Sequence, residues 1–264
     1  MENNRKSWSL PGVHLHGNCR GPLPSAIFLH GFGGARSGWD YVWDRLASDI
    51  GAIRYDLRGF GESIGETDDS FSHADDLLAL MDAEGLESAD LVGISMGGSV
   101  AVNFALDYPD RVRRLVLIST GLMGWDWSPE WRALWRPLVA LARAGDMDGA
   151  RQLWAAHPLF ATTRADPDAA ALLQASIDRY SGAQWVEDRQ RSTLPDLDRL
   201  PSLIVPTLLL SGAHDLADFR LIADMIAGSV PKVRRIDLPR QGHMLTLEAP
   251  DACADAIETF LRGD

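Results

Sequence analysis

The first feature that could carry out chemistry is a serine with a glycine two residues to either side. It lies in the hexapeptide Gly93–Gly98, which reads GISMGG, after an apolar run and before an apolar helical pattern. G-x-S-x-G at a strand-to-helix turn is typical of a nucleophile elbow, in which a tight turn lifts the serine above a sheet. We therefore predict Ser95 as a nucleophile, with the N-terminus of the next helix favouring negative charge beside it.

A serine hydroxyl is a poor nucleophile near neutral pH and needs a positioned base. The chain offers seven histidines: His14, His16, His30, His73, His157, His214 and His243. We predict His243 as the base, because its loop QGHM comes after the last apolar strand pattern and before the final helix. His30 ends a predicted strand before a glycine turn, and we interpret it as a structural hydrogen-bonding residue.

The imidazole in turn needs a carboxylate that fixes its tautomer and stabilises the imidazolium. Asp215 ends the segment GAHD, directly after the predicted strand 206–210, at a position where loops present functional groups. Asp218 is the alternative, three residues further on. We predict Asp215, which gives the chain order Ser95, Asp215, His243.

A negatively charged intermediate on this serine needs preorganised N–H donors. The backbone N–H of Met96 is expected to be one, since it follows the nucleophile directly. The second is expected from Phe32, in the loop HGFGG at residues 30–34, where glycines allow the backbone to approach a substrate closely.

Short apolar segments that alternate with longer amphipathic ones must position these groups. Strands are predicted over 26–30, 52–56, 89–94, 114–119, 206–210 and 233–238. Helices are predicted over 37–48, 72–84, 96–107, 217–227 and 250–262. This order predicts an α/β fold, with a mostly parallel, doubly wound sheet covered by helices on both faces.

The alternation is interrupted between residues 121 and 199, where no strand pattern is found. This segment holds six of the nine tryptophans and has apolar residues at helical spacing. We predict a helical cap over 121–199, inserted into a core formed by 1–120 and 200–264. The residues expected to line a substrate pocket there are Trp125, Trp127, Trp154, His157 and Trp185.

Together these motifs resemble the capped α/β-hydrolase superfamily along nearly the whole chain. HGFGG, DLRGFGES, GISMGG, GAHD and QGH occur in the family's order. The resemblance implies the same roles for Ser95, Asp215 and His243 and for the amides of Phe32 and Met96. It implies a structural role for the DLRGFGES turn at residues 56–63.

The resemblance also narrows the reaction. Serine at the elbow argues against the haloalkane dehalogenases and epoxide hydrolases, which use aspartate. The loop HGFGG lacks the HGGPG pattern of proline iminopeptidases and the HGSGPG type of carbon–carbon bond hydrolases. We expect cleavage of a carboxylic ester or lactone through an acyl-enzyme. Alternatives are cleavage of a ring-fission diketone, cofactor-free haloperoxidase or perhydrolase activity, and a non-catalytic ligand receptor.

Composition excludes some partners. The 264 residues carry a formal net charge of −12, which disfavours nucleic acids and anionic membrane surfaces. No apolar run approaches the length of a membrane span, and two cysteines give no disulfide framework. We expect a cytoplasmic protein that acts on a small molecule without metal or organic cofactor. No pattern in the sequence selects an oligomeric state.

Overall fold

The computed structural model describes residues 4–21, 23–63, 70–191 and 193–263. One eight-stranded sheet runs through it in the order β1-β2-β4-β3-β5-β6-β7-β8. The strands are β1 (Asn4–Leu10), β2 (Val13–Arg20), β3 (Ala26–Leu29), β4 (Ala52–Tyr55), β5 (Ala89–Ile94), β6 (Val112–Ile118), β7 (Thr207–Gly212) and β8 (Val233–Leu238).

Pairing is antiparallel only at one edge of this sheet. β1 and β2 form a hairpin, and β2 runs antiparallel to β4. The remaining neighbours, from β4 through β3, β5, β6 and β7 to β8, are parallel. The predicted mostly parallel sheet is therefore confirmed. The carboxyl ends of its central strands meet at one edge, where loops present functional groups in folds of this kind.

Both faces of the sheet are buried, and the alternation of side chains along each strand shows why. In β3, Ile27 and Leu29 join one hydrophobic cluster, while Ala26 and Phe28 join a second cluster on the opposite face. Successive side chains of a strand point to opposite faces, so a fully apolar strand feeds two cores. This accounts for continuous apolar runs in the central strands.

Eleven α-helices lie within the described residues. They are α1 (Asp40–Trp43), α2 (His73–Ala83), α3 (Met96–Asp107), α4 (Pro129–Arg143), α5 (Met147–Ala155), α6 (Ala161–Ala165), α7 (Pro167–Arg179), α8 (Ala183–Val186), α9 (Ala217–Ser229), α10 (Leu245–Glu248) and α11 (Pro250–Arg262). Of the helices in the described part of the chain, none is both long and apolar enough to cross a bilayer.

The helix predicted over 37–48 is shorter than expected. A 3₁₀ turn at Arg36–Trp39 leads into α1, which ends at Trp43. The buried guanidinium of Arg20 donates hydrogen bonds to the carbonyl oxygens of Leu46 at 2.9 Å and Ala47 at 3.0 Å. Arg20 also donates to the carbonyl oxygen of Trp43, and the backbone N–H of Ala47 donates to the carboxylate of Glu258 at 3.1 Å. In a helix that continued to residue 48 these two backbone groups would bond to each other, so tertiary contacts replace that helical hydrogen bond.

Residues 121–199, the predicted cap, contain the five helices α4 to α8. Buried Asp196 ties the two ends of this segment to the core. Its carboxylate accepts hydrogen bonds from the side-chain amide of Asn103 in α3 at 3.0 Å and from the backbone N–H of Met123 at 3.2 Å. Burial raises the pKa of Asp196 to about 6.

Candidate active site

The turn between β5 and α3 holds Ser95 in a strained backbone conformation, with φ of 53° and ψ of −116°. A non-glycine residue with positive φ is uncommon and marks stored strain. A Cβ on Gly93 would overlap the carbonyl oxygen of Gly97, and a Cβ on Gly97 would overlap that of Leu29. Glycine at both positions is therefore a steric requirement of the turn.

The loop after β3 closely approaches this turn. A Cβ added to Gly31 would lie 3.4 Å from the Cβ of Ser95. Gly33 has a φ of +70°, a conformation that glycine adopts without penalty. Phe32 stands between these glycines, and Met96 begins α3, whose first backbone N–H groups have no partner within the helix. Phe32, Ser95 and Met96 all line the same cavity, and the role of the two backbone N–H groups as oxyanion donors stays a prediction.

Three side chains predicted from distant segments form one hydrogen-bonded chain. The Ser95 Oγ lies 3.0 Å from Nε2 of His243. On the other side of the ring, Nδ1 of His243 lies 2.9 Å from Oδ2 and 3.1 Å from Oδ1 of Asp215. This arrangement places an imidazole at the serine hydroxyl and a carboxylate on the far side of the imidazole.

Tight packing of two loops brings His243 to Asp215. A Cβ on Gly212, the last residue of β7, would overlap the carbonyl oxygen of Gly242. The backbone N–H of His214 donates to the carbonyl oxygen of Gln241 at 2.9 Å. The glycines of GAHD and QGH therefore allow the loops after β7 and β8 to run against each other.

Asp218, the alternative acid, lies elsewhere in the hydrogen-bond network. Its carboxylate accepts hydrogen bonds from Trp125 Nε1 at 3.0 Å, from the backbone N–H of Ser128 at 3.1 Å and from Ser128 Oγ at 2.6 Å. Ser128 caps the N-terminus of α4 by accepting from the backbone N–H of Trp131. Asp218 thus anchors the start of α4.

Other buried histidines have separate partners. His30 accepts a hydrogen bond at Nε2 from the backbone N–H of Leu57 at 3.0 Å, and burial lowers its pKa. His73 is also buried, which lowers its pKa to about 3. His157 accepts at Nδ1 from the backbone N–H of Leu159 at 3.1 Å. Burial lowers the pKa of His157 to about 4, and positive charge on nearby His243 contributes.

A cavity of about 740 Å³ lies between the core and residues 121–199, with Ser95 and His243 in its wall. Of the predicted pocket residues, Trp125, Trp127 and Trp154 line this cavity. His157 and Trp185 are not part of its wall. His157 packs between the rings of Trp131 and Trp154, and Trp185 packs against Tyr180.

Sequence reasoning did not select two tryptophans that also line the cavity, Trp131 and Trp135. With Trp127, which directly precedes the N-cap of α4, they form a row with ring centroids 4.5 Å and 6.0 Å apart and interplanar angles of 22° and 15°. Their spacing of four residues was the available signal, because positions i and i+4 share one face of a helix. We call Trp127, Trp131 and Trp135 the indole row.

The indole row reaches the triad through Phe219 of α9. The Phe219 ring centroid lies 5.7 Å from that of Trp131 and 4.3 Å from that of His243. At the other end of the row, Trp135 packs edge-on against Phe32 at 5.3 Å. Apolar aromatic groups thus connect the base with the loop after β3. Within the described residues, no group of three or more His, Cys, Asp or Glu is arranged to hold a metal ion.

The fold and this arrangement of serine, imidazole and carboxylate are those of a known class of proteins. Residues 24–250 match the family model described as the alpha/beta hydrolase fold. The chain therefore belongs to the α/β-hydrolase family, and it is a hydrolase in the broad sense that the family defines.

Individual members of that family show what the chain is similar to. Carboxylesterase YbfK of Bacillus subtilis is 30% identical over 91% of this chain and 81% of its own length. The crystal structure of the enol-lactonase from Burkholderia xenovorans LB400 has a TM-score of 0.82 and 25% identity, and covers 97% of this chain and 100% of that one. A 2-hydroxy-6-oxononadienedioate/2-hydroxy-6-oxononatrienedioate hydrolase of Comamonas testosteroni is 34% identical over 44% of this chain and 43% of its own.

Proposed function

We propose that the protein hydrolyses a carboxylic ester or lactone through an acyl-enzyme on Ser95. The observation that carries the proposal is the continuous hydrogen-bonded chain from Ser95 Oγ through His243 to Asp215. The identities of the relatives add support, since a carboxylesterase and an enol-lactonase are among the similar proteins.

In the proposed first step, His243 Nε2 takes the proton of Ser95 as its Oγ attacks the substrate carbonyl carbon. The resulting oxyanion accepts hydrogen bonds from the backbone N–H groups of Phe32 and Met96. Protonated His243 then donates its proton to the leaving alkoxide, and Asp215 stabilises the imidazolium meanwhile. The same histidine next activates a water molecule, which releases the acid and restores Ser95.

The proposed substrate is a small molecule with a substantial apolar part. The cavity has the volume of a typical small-molecule site, and tryptophans form much of its wall beside the triad. Indole rings half-buried in such a wall gain free energy when a ligand covers them. The indole row therefore supports an apolar acyl or ring moiety that lies along α4.

Substitution of the nucleophile tests the proposal. Ser95→Ala should lose nearly all turnover of p-nitrophenyl esters, because catalysis through an acyl-enzyme needs the hydroxyl. Ser202→Ala, which alters an exposed serine outside the cavity wall, is the matched control and should keep wild-type turnover. Retention of most wild-type turnover in Ser95→Ala would remove Ser95 from the mechanism.

A fluorophosphonate probe separates the proposed enzyme from a receptor on the same fold. The probe should label the wild-type protein and Ser202→Ala, but not Ser95→Ala. A folded wild-type protein that resists labelling would support the receptor alternative, since the probe reacts only with an activated serine.

Cleavage of a carbon–carbon bond is the second candidate, and similarity to the Comamonas testosteroni dienedioate hydrolase favours it. Both reactions would use the same three side chains, so the substrate must discriminate between them. We expect faster turnover of simple esters than of a ring-fission diketone by the same preparation. The reverse order would replace the ester proposal with the second candidate.

A further inference from the structure

One carboxylate holds the loop of the proposed base from both sides. Glu248 ends α10, and its Oε2 accepts a hydrogen bond from the backbone N–H of Gly242 at 2.5 Å. Its Oε1 accepts a longer one from the backbone N–H of Met244 at 3.4 Å. Because these two amides flank His243, the position of Glu248 constrains the backbone from which the imidazole projects.

The same carboxylate also contacts residues 121–199. Thr163 of α6, whose side chain is fully buried, donates from Oγ1 to Oε1 of Glu248 at 2.6 Å. The neighbouring Thr162 lies against the loop, because a Cβ added to Gly242 would come within 2.6 Å of its Oγ1. Helix α6 therefore contacts the histidine loop directly and through Glu248.

The neighbours of Glu248 show which interactions hold its carboxylate in position. Among the residues that the structure describes, no lysine or arginine forms an ion pair with it. Its oxygens instead accept from two backbone amides and one hydroxyl. Hydrogen bonds to a charged acceptor are about twice as strong as neutral ones, so these three donors fix the carboxylate in place.

We propose that Glu248 is a positioning residue for His243, and that Thr163 makes the alignment of His243 depend on the position of α6. The inference rests on the proposed catalytic role of His243. A displacement of α6 removes one of the three donors, which loosens the carboxylate. The histidine loop then loses its common acceptor, and Nε2 spends less time within reach of Ser95 Oγ.

Two substitutions at Thr163 test the link: the first removes the hydroxyl and keeps the methyl group, and the second removes the methyl group and keeps the hydroxyl. Thr163→Val removes the donor at nearly constant volume, and we expect kcat to fall about three- to tenfold with KM unchanged. Thr163→Ser keeps the donor and is the matched control, which should retain wild-type kcat. Equal loss in both variants would contradict the link, since it would assign the effect to general packing at this buried position and not to the hydroxyl.

Glu248→Gln tests the positioning role itself. An amide keeps one acceptor oxygen but presents NH₂ to donors, so we expect kcat to fall about tenfold to 100-fold. The melting temperature of each variant establishes that it is folded. A folded Glu248→Gln protein with wild-type kcat would overturn the proposal.

A spectroscopic readout is independent of turnover. The proton on His243 Nδ1, shared with Asp215, should give a low-field proton NMR resonance in the wild type. We expect this resonance to broaden in Glu248→Gln and Thr163→Val and to persist in Thr163→Ser, because a loosened loop exposes the proton to exchange. An unchanged resonance in all three variants would overturn the positioning role. Retained turnover in Ser95→Ala would instead refute the proposed function and leave the NMR result standing.

Discussion

The loops at the carboxyl ends of the strands and the segment 121–199 both line the cavity, but they are built differently. In the loops, Ser95, Asp215 and His243 are joined by hydrogen bonds of 2.9 to 3.1 Å. Nearby glycines occupy positions where a Cβ would overlap neighbouring atoms. In residues 121–199, tryptophans in edge-on and stacked contacts line the cavity beside aliphatic side chains such as Leu159 and Leu173.

This difference in construction predicts that the loops determine the rate of the chemical step and that residues 121–199 determine which substrates bind. Hydrogen-bond geometry tolerates little displacement, so each loop residue has few acceptable replacements. Aromatic packing depends mainly on buried area, and other apolar side chains can supply that area with modest losses. We therefore expect substitutions in the loops to change kcat, and substitutions in the cap wall to change KM and the choice of substrate.

The largest effect is expected at the acid, where two nearby aspartates have different partners. Asp215→Asn should lower kcat about 1,000- to 10,000-fold, because an amide favours the wrong tautomer of His243. Steady-state turnover of a p-nitrophenyl ester measures this loss.

Asp218→Asn is the control, because Asp218 of α9 anchors the start of α4 and does not contact His243 through a hydrogen bond. Asp218 binds Trp125 and Ser128, so its loss should lower stability by about 1–3 kcal/mol in denaturant unfolding, with little change in kcat. Full activity in Asp215→Asn together with an inactive Asp218→Asn would exchange the two roles and break the distinction between the regions.

Two tryptophans divide the cap into wall and interior. Trp185 is 1% exposed and outside the cavity wall, so Trp185→Ala should lower the free energy of unfolding by about 3–5 kcal/mol. The half-buried Trp127 lines the cavity, and Trp127→Ala should raise KM for aromatic esters more than for acetate esters. A larger change in KM for Trp185→Ala than for Trp127→Ala would refute this division.

The smallest expected effect is on the pH dependence of the free energy of unfolding, and it comes from Asp196. Burial raises the pKa of Asp196 to about 6 from its ordinary value of 3.8, so the folded protein binds the proton more tightly than the unfolded chain. The stability gained is present below pH 4 and is lost as pH rises through 6, by on the order of 1–3 kcal/mol.

Asp196→Asn tests whether the stability of the wild type falls as the pH rises. The difference in unfolding free energy between wild type and variant should change across pH 4 to 6 and stay constant above pH 7. A difference that is independent of pH would show that the carboxyl of Asp196 has the same pKa in the folded and unfolded states.

The core was predictable from sequence because its constraints are local. Gly93 and Gly97 mark the turn at Ser95, since the backbone there leaves no space for a Cβ. Ala89–Ile94 forms a strand over the predicted range, because a largely apolar run between turn residues has few alternatives. The chain order of serine, aspartate and histidine predicted partners that meet only after the sheet has formed.

Contacts between distant segments were beyond the reach of sequence patterns. Helix α1 ends at Trp43, where Arg20 binds the carbonyl oxygen of Trp43 and the distant Glu258 binds the backbone N–H of Ala47. Which tryptophans face the cavity depends on how α4 and α8 pack, so Trp131 and Trp135 were missed and Trp185 was assigned to the wall. Glu248 was missed because its partner Thr163 is 85 positions away.

The stacking of the indole row has a consequence for optical spectroscopy of the protein. Indole rings that lie nearly parallel with centroids 4.5 Å and 6.0 Å apart couple their electronic transitions, so we expect a circular-dichroism signal from this stack. A molecule entering the cavity alters the environment of these rings before any bond is broken. The protein therefore contains its own optical reporter of occupancy, independent of the chemistry that follows.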